Sequence, residues 1–264
     1  MPDAGRETRL GVLTWPEVQR RDALLAVPVG SLEQHGPHLP LDTDTRIAVA
    51  VAAGLAERRG DTVVAPAAAY GSSGEHQAFP GTLSIGQSAV QMLLVELVRS
   101  AAATFAATVL VNCHGGNTAP VTAAVRMLRG EGRQALGWQP RLSGGDSHAG
   151  HAETSLLLAL APDLVHRQQC HPGNLASLPE LMPALRAGAL REVAPTGVLG
   201  DPTAATPAEG QRLLAALVAD LDSAVRGWLP SPPPAEASAS VVGRPAGPVR
   251  VRAGGTGRAA DRAI

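Results

Sequence analysis

The chain has 264 residues, a formal net charge of −1, and 45% hydrophobic, 17% charged and 2% aromatic residues, which is enough length to bury one large core. Near-neutral charge and so few aromatic side chains exclude a dedicated nucleic-acid binder, which needs a basic face and often stacking platforms. The absence of an apolar run of about 18 residues or of a basic-then-apolar leader, with only Cys113 and Cys170 to pair, points away from membrane and disulfide-stapled classes toward a cytoplasmic protein.

In chain order, residues 23–29 form a short apolar run that stops at Gly30, the pattern of a buried strand. Residues 45–59 have helical periodicity and end at Gly60. A second strand is predicted over 62–65, closed by Pro66, then a long helix over 87–105 and a third strand over 108–111. A helix over 118–129 stops at Gly130, and a weaker strand covers 134–139. Helices over 153–160 and 209–228 complete the set. Such alternation predicts an α/β fold, a mostly parallel sheet with helices on both faces, within one domain spanning residues 1–230. Residues 231–264 are rich in Pro, Gly, Ala and Arg without periodicity, which predicts a disordered tail. Its five arginines against two acids fit either a tether for an acidic partner or a solvated end without a task.

In sheets of this kind ligands sit beyond the carboxyl ends of the strands, and there the polar residues cluster. After the first strand runs Gly30-Ser31-Leu32-Glu33-Gln34-His35-Gly36-Pro37-His38, and Asp44 follows shortly after. Glu33 and His35, two apart, project to one side of an extended segment and can hold a metal between a carboxylate and an imidazole. Asp44, at the start of the next helix, has two oxygens that can bridge two ions; capping that helix is its competing role. After the third strand, Asn112-Cys113-His114-Gly115-Gly116-Asn117 either brings backbone close to a ligand with His114 facing the crevice or is a plain capping loop with Asn117 as the cap. Cys113 is read as packing. In the third cluster, His148-Ala149-Gly150-His151-Ala152-Glu153, Glu153 can complete a metal site or cap a helix, and His148 can shuttle a proton.

These phrases, in this order and together with Gly71-Ser72-Ser73-Gly74-Glu75-His76-Gln77-Ala78-Phe79-Pro80-Gly81-Thr82-Leu83-Ser84, resemble the creatininase (creatinine amidohydrolase) family. The resemblance implies a three-layer α/β/α amidohydrolase with two adjacent divalent metal ions (zinc, iron or manganese), assembled as a homo-oligomer, often a hexamer. It implies Glu33, Asp44 and His114 on one ion and His35 with the bridging Asp44 on the other. Creatininase has a glutamate where this chain has Gly116, so Glu153 is expected to supply the second ion's carboxylate. A glutamate common in the family at the position of His151 is also replaced, which makes creatinine itself an unexpected substrate. His148 and Glu153 are the expected catalytic residues, with His76, Gly115 and Gly116 about the substrate. Within the family, Leu13-Thr14-Trp15-Pro16-Glu17 and the second and third clusters are most similar to the peptidase branch of the mycofactocin pathway. That likeness implies release of a C-terminal Val-Tyr dipeptide from a modified precursor peptide. The alternatives are a formamide or lactam amidohydrolase acting on a small molecule, and a non-catalytic scaffold or binding protein.

Overall fold

The computed structural model describes residues 7–18, 22–140 and 148–229, so the predicted tail lies outside the described residues. Four strands, β1 (Leu24–Val29), β2 (Thr62–Val64), β3 (Ala107–Asn112) and β4 (Ala135–Trp138), pair in the order β2-β1-β3-β4, all parallel. The helices are α1 (Thr43–Arg58), α2 (Gln87–Ala101), α3 (Thr118–Gly130), α4 (His151–Leu160), α5 (Leu178–Arg186), α6 (Leu190–Val193) and α7 (Pro207–Trp228).

Every residue of β1 and β3 is buried, as both faces of a central parallel strand must be. Leu24 and Ala26 point to one side, into a core shared with Val51 and Leu55 of α1, Leu157 of α4 and Leu221 of α7. Leu25, Val27 and Val29 point to the other, against Leu94 and Val98 of α2 and Ala124 and Leu128 of α3. The molecule is thus a three-layer α/β/α sandwich. The chain leaves β1 for β2 on one side and then crosses to β3 on the other, so the switch point lies between β1 and β3. Their last residues, Val29 and Asn112, stand side by side, and the loops bearing the first two polar clusters leave from there.

Several helices differ from expectation. The second helix ends at Ala101, and a turn closed by Phe105 N–H on Ala101 O carries Phe105 into the core. Helix α1 begins two residues early, which places Asp44 within its first turn. Helices α5 and α6 were not anticipated; they close a small core of Leu181, Leu190, Ala194 and Leu199. No described helix is long and apolar enough to cross a membrane.

Helix α7 meets α4 at Gly210, where a Cβ would lie 1.9 Å from the carbonyl oxygen of Ser155. Gly→Ala inside a helix ordinarily stabilises by up to about 1 kcal/mol. Here a backbone clash outweighs it, and Gly210→Ala is expected to destabilise by about 1–3 kcal/mol, read as a lowered midpoint in urea unfolding; an unchanged or raised midpoint would mean that the helices separate freely.

Candidate metal centre

Asp44 turns into the site instead of capping its helix: α1 has no side-chain cap bond. Its Oδ2 accepts from Ser31 Oγ at 2.8 Å and lies 3.0 Å from His114 Nδ1, while Oδ1 lies 3.2 Å from His35 Nε2. One carboxylate therefore faces two imidazoles from two loops. Asn117 does not cap α3 either. Its Oδ1 accepts from Ser72 N–H and its Nδ2 donates to Gly30 O, both at 2.9 Å, so it ties together the loops after β1, β2 and β3. Gly116 allows that closure, since a Cβ there would lie 2.1 Å from Ser72 O. Around Gly115, by contrast, a Cβ would meet nothing within 4 Å.

His148 is held by two backbone hydrogen bonds with Leu199 at 3.2 and 2.9 Å. Ala149 follows at φ 53°, a left-handed conformation that non-glycine residues rarely hold away from functional sites. It turns the chain into α4 so that Glu153, in the first helical turn, accepts from Ala149 N–H at 2.6 Å and lies 3.9 Å from His35 Nε2. Glu153 thus fastens the left-handed turn before its helix and also reaches the cluster.

The hydrogen-bond partners assign the ring protons. His35 Nδ1 faces Glu33 O at 3.2 Å, His114 Nε2 faces Ser72 O at 2.9 Å, and His148 Nε2 faces Gln34 O at 2.7 Å. A carbonyl only accepts, so each of these nitrogens carries hydrogen. In the neutral rings the opposite nitrogens are then lone pairs: His35 Nε2 and His114 Nδ1 face Asp44, and His148 Nδ1 lies 3.8 Å from Glu33 Oε1. A lone pair against a carboxylate calls for a cation between them, either a proton or a metal ion.

Glu33 makes the same demand. It is 1% exposed, and neither side-chain oxygen accepts a hydrogen bond. Leaving a buried carboxylate so placed is costly unless a cation compensates it. Ligand atoms of Glu33, His35 and Asp44 lie within 4.8 Å of one another, as do those of His35, His148 and Glu153, and of Glu33, His76 and His148. Imidazole nitrogen with carboxylate oxygen is a donor set that suits zinc, iron or manganese, so the residues present fit a divalent ion.

The electrostatics run in the same direction. Burial opposes charge on His35, yet Asp44 and Glu153 raise it to about 10; His114 is raised well above its ordinary value by Glu33 and Asp44 against the same burial. Burial would raise Glu33, but His114 and His76 outweigh it and hold the carboxyl at about 2, and Asp44 is likewise lowered by His35 and His114. Burial dominates at Glu153, raising it to about 7, and at His76 and His148, lowering the first to about 4 and the second well below its ordinary value, with His35 adding to both.

The structure thus brings together Glu33, His35, Asp44, His76, His114, His148 and Glu153 from four separate stretches of chain. Residues that charge-based reading passes over are Ser31, Gln34 and Asn117, which bond the site but carry no charge. His38, at the end of the phrase that follows β1, is buried and bonds Thr154 Oγ1 of α4 at 2.9 Å.

A parallel α/β sheet with a buried carboxylate–histidine cluster at its switch point is the build of a metal-dependent hydrolase. The sequence pattern of the creatininase family, described as creatinine amidohydrolase, matches residues 12–225, and the chain belongs to that family. It is 51% identical over 233 residues to a mycofactocin precursor peptide peptidase of Mycobacterium tuberculosis, covering 84% of this chain and 92% of that one. A relative of that name in Mycolicibacterium smegmatis is also 51% identical, over 227 residues, again covering 84% and 92%. Creatinine amidohydrolase of Pseudomonas putida is 32% identical, covering 84% of this chain and 97% of that one. Among solved structures, creatinine amidohydrolase (creatininase) superposes with a TM-score of 0.72 at 28% identity, covering 86% of this chain and all of that one. Creatininase structures in manganese and Zn-Zn forms are also similar.

Proposed function

We propose that this creatininase-family amide hydrolase is a divalent-metal-dependent peptidase that removes the C-terminal Val-Tyr dipeptide from a modified mycofactocin precursor peptide. The observation that carries the metal dependence is Asp44, whose two oxygens face lone-pair nitrogens of His35 and His114. The peptide substrate rests on the relatives that are half identical across most of this chain.

In this reading Glu33, Asp44 and His114 hold one ion and His35, Asp44 and Glu153 a second, the metals being zinc, iron or manganese. Bound there, divalent ions supply Lewis acidity toward an amide carbonyl and make a water molecule acidic enough to attack near neutral pH. The chain's own part is proton handling. His148 keeps Nε2–H on Gln34 O, which holds the ring in place while Nδ1 takes a proton from the attacking water and passes it to the departing nitrogen. Glu153 is the second catalytic group, its carboxylate set beside His35 by the bond from Ala149 N–H. His76, Gly115 and Gly116 border the substrate. The protein works in the cytoplasm as a homo-oligomer of the family's hexameric kind.

The test is incubation of the metal-loaded protein with the modified precursor peptide, creatinine and a formamide, followed by mass spectrometry. Loss of the C-terminal dipeptide, with creatinine untouched, is the expected result. Turnover of the formamide with an intact peptide would place the chain in the small-molecule branch instead.

A further inference from the structure

Gln34, between Glu33 and His35, is buried, and both ends of its amide group are held by hydrogen bonds. Oε1 accepts from Gly36 N–H at 2.9 Å, and Nε2 donates to Gly197 O at 3.1 Å. A backbone N–H only donates and a carbonyl only accepts, so these two contacts settle which end of the amide is oxygen. Gly197, at φ 76°, packs directly on it: a Cβ there would lie 1.9 Å from Gln34 Oε1.

The second proton of Nε2 then points to His76 Nδ1, 2.8 Å away. That nitrogen must accept, so the neutral His76 ring carries its hydrogen on Nε2, the nitrogen 3.4 Å from Glu33 Oε1. The backbone carbonyl of the same Gln34 accepts from His148 Nε2 and leaves His148 Nδ1 as a lone pair. With both amide protons spent, the 3.1 Å approach of Gln34 Nε2 to His148 Nε2 carries no hydrogen bond. The two rings are in contact, their centroids 4.4 Å apart.

We propose that Gln34 is a positioning residue that gives two touching imidazoles opposite roles, His76 as a fixed N–H donor and His148 as a fixed acceptor. The inference rests on the hydrolase reading above and adds a role for His76. As water attacks, its proton goes to His148 Nδ1 and from there to the departing nitrogen. His76 Nε2–H donates to the carbonyl oxygen as that oxygen gains charge, and keeps its proton throughout. Were the His76 ring in the other tautomer, a lone pair would face both Glu33 and the developing anion.

The test uses the zinc-loaded full chain with ¹⁵N-labelled histidine, the His76 signals being assigned by their loss in His76→Gln. At pH 7 wild-type His76 is expected to show the Nε2–H tautomer. Gln34→Glu puts an acceptor where the amide donated, so His76 is expected to gain a proton on Nδ1. With it kcat should fall by about 100- to 1,000-fold, as for loss of one donor to a developing oxyanion, while KM stays within about threefold. Gln34→Leu, which cannot bond at all, is expected to give mixed tautomers. A wild-type His76 protonated on Nδ1, or a Gln34→Glu enzyme with unchanged tautomer and unchanged kcat, overturns the proposal. The tautomers are read without substrate, so a protein that cleaves no amide yet shows the predicted ring states defeats the functional reading and leaves Gln34 in its place.

Discussion

Asp44→Asn is expected to leave less than about 1% of wild-type kcat/KM while the protein remains folded. Outer partners of a metal centre are worth about 10- to 100-fold each, and Asp44 stands inside them, shared by His35 on one oxygen and His114 on the other. Asparagine keeps one acceptor of the two and turns N–H toward the other imidazole, which must then change its own protonation. The loss of hydrogen bonds to a charged group costs about 1.5–3 kcal/mol, within the 5–15 kcal/mol that holds a typical domain together. Far-UV circular dichroism should therefore be unchanged at 25 °C, with a midpoint lowered by several degrees. Elemental analysis should find both ions depleted, since both lone pairs lose their shared anion. Ser31→Ala is the graded comparison: it deletes only the 2.8 Å bond to Oδ2 and should cost about tenfold. An Asp44→Asn enzyme with full activity and full metal content would remove Asp44 from the centre.

How much of this was legible in the sequence follows from how local each feature is. Strands β1 and β3 read as uninterrupted apolar runs because both faces are covered, and their ends carry the phrases around Glu33 and His114. Asp44, His35 and Glu153 were legible because they cluster in short phrases at strand ends and helix starts, although capping competes as a reason for an acid at a helix start. Helices α5 and α6 were not: α5 contains Pro179 and Pro183 in nine residues, which masks periodicity, and α6 is a single turn. Asn117 was weighed as a cap because its position before α3 invites that role, whereas its bonds run to Ser72 and Gly30, 45 and 87 positions away. Gln34 is the sharper case. Its neighbours carry the charges, but its partners His76 and Gly197 become visible only once 42 and 163 residues of separation are folded out.

Metal loading is expected to tighten steeply as pH rises. In metal-free protein His35 keeps its ring proton up to about 10 and His114 keeps its proton well above the ordinary value, each against burial because carboxylates face them. Both nitrogens must be deprotonated to ligate, so uptake of both ions at pH 7–9 expels two protons, one per ion, and the affinity for each ion should climb about tenfold per pH unit. Calorimetry in two buffers of different ionisation heat counts those protons directly; a total of one proton for the two ions would mean that only one of the two imidazoles ligates. Below about pH 7 Glu153 adds a third, its carboxyl being raised to about 7. Stability gives the opposite sign. A group whose folded pKa is raised stabilises most below its unfolded value, near 6.5 for histidine, and loses that contribution as pH climbs through the folded value. Metal-free protein should therefore melt at progressively lower temperature from pH 6.5 toward 10, whereas protein in excess zinc should hold or gain, because ligand bound to the native state alone stabilises more as its affinity rises. The lowered carboxyls of Glu33 and Asp44 do not disturb this window, since their contribution is lost only when pH falls through the acid range. Two melting curves that diverge with pH place His35 and His114 against the metal; parallel curves would place both outside it.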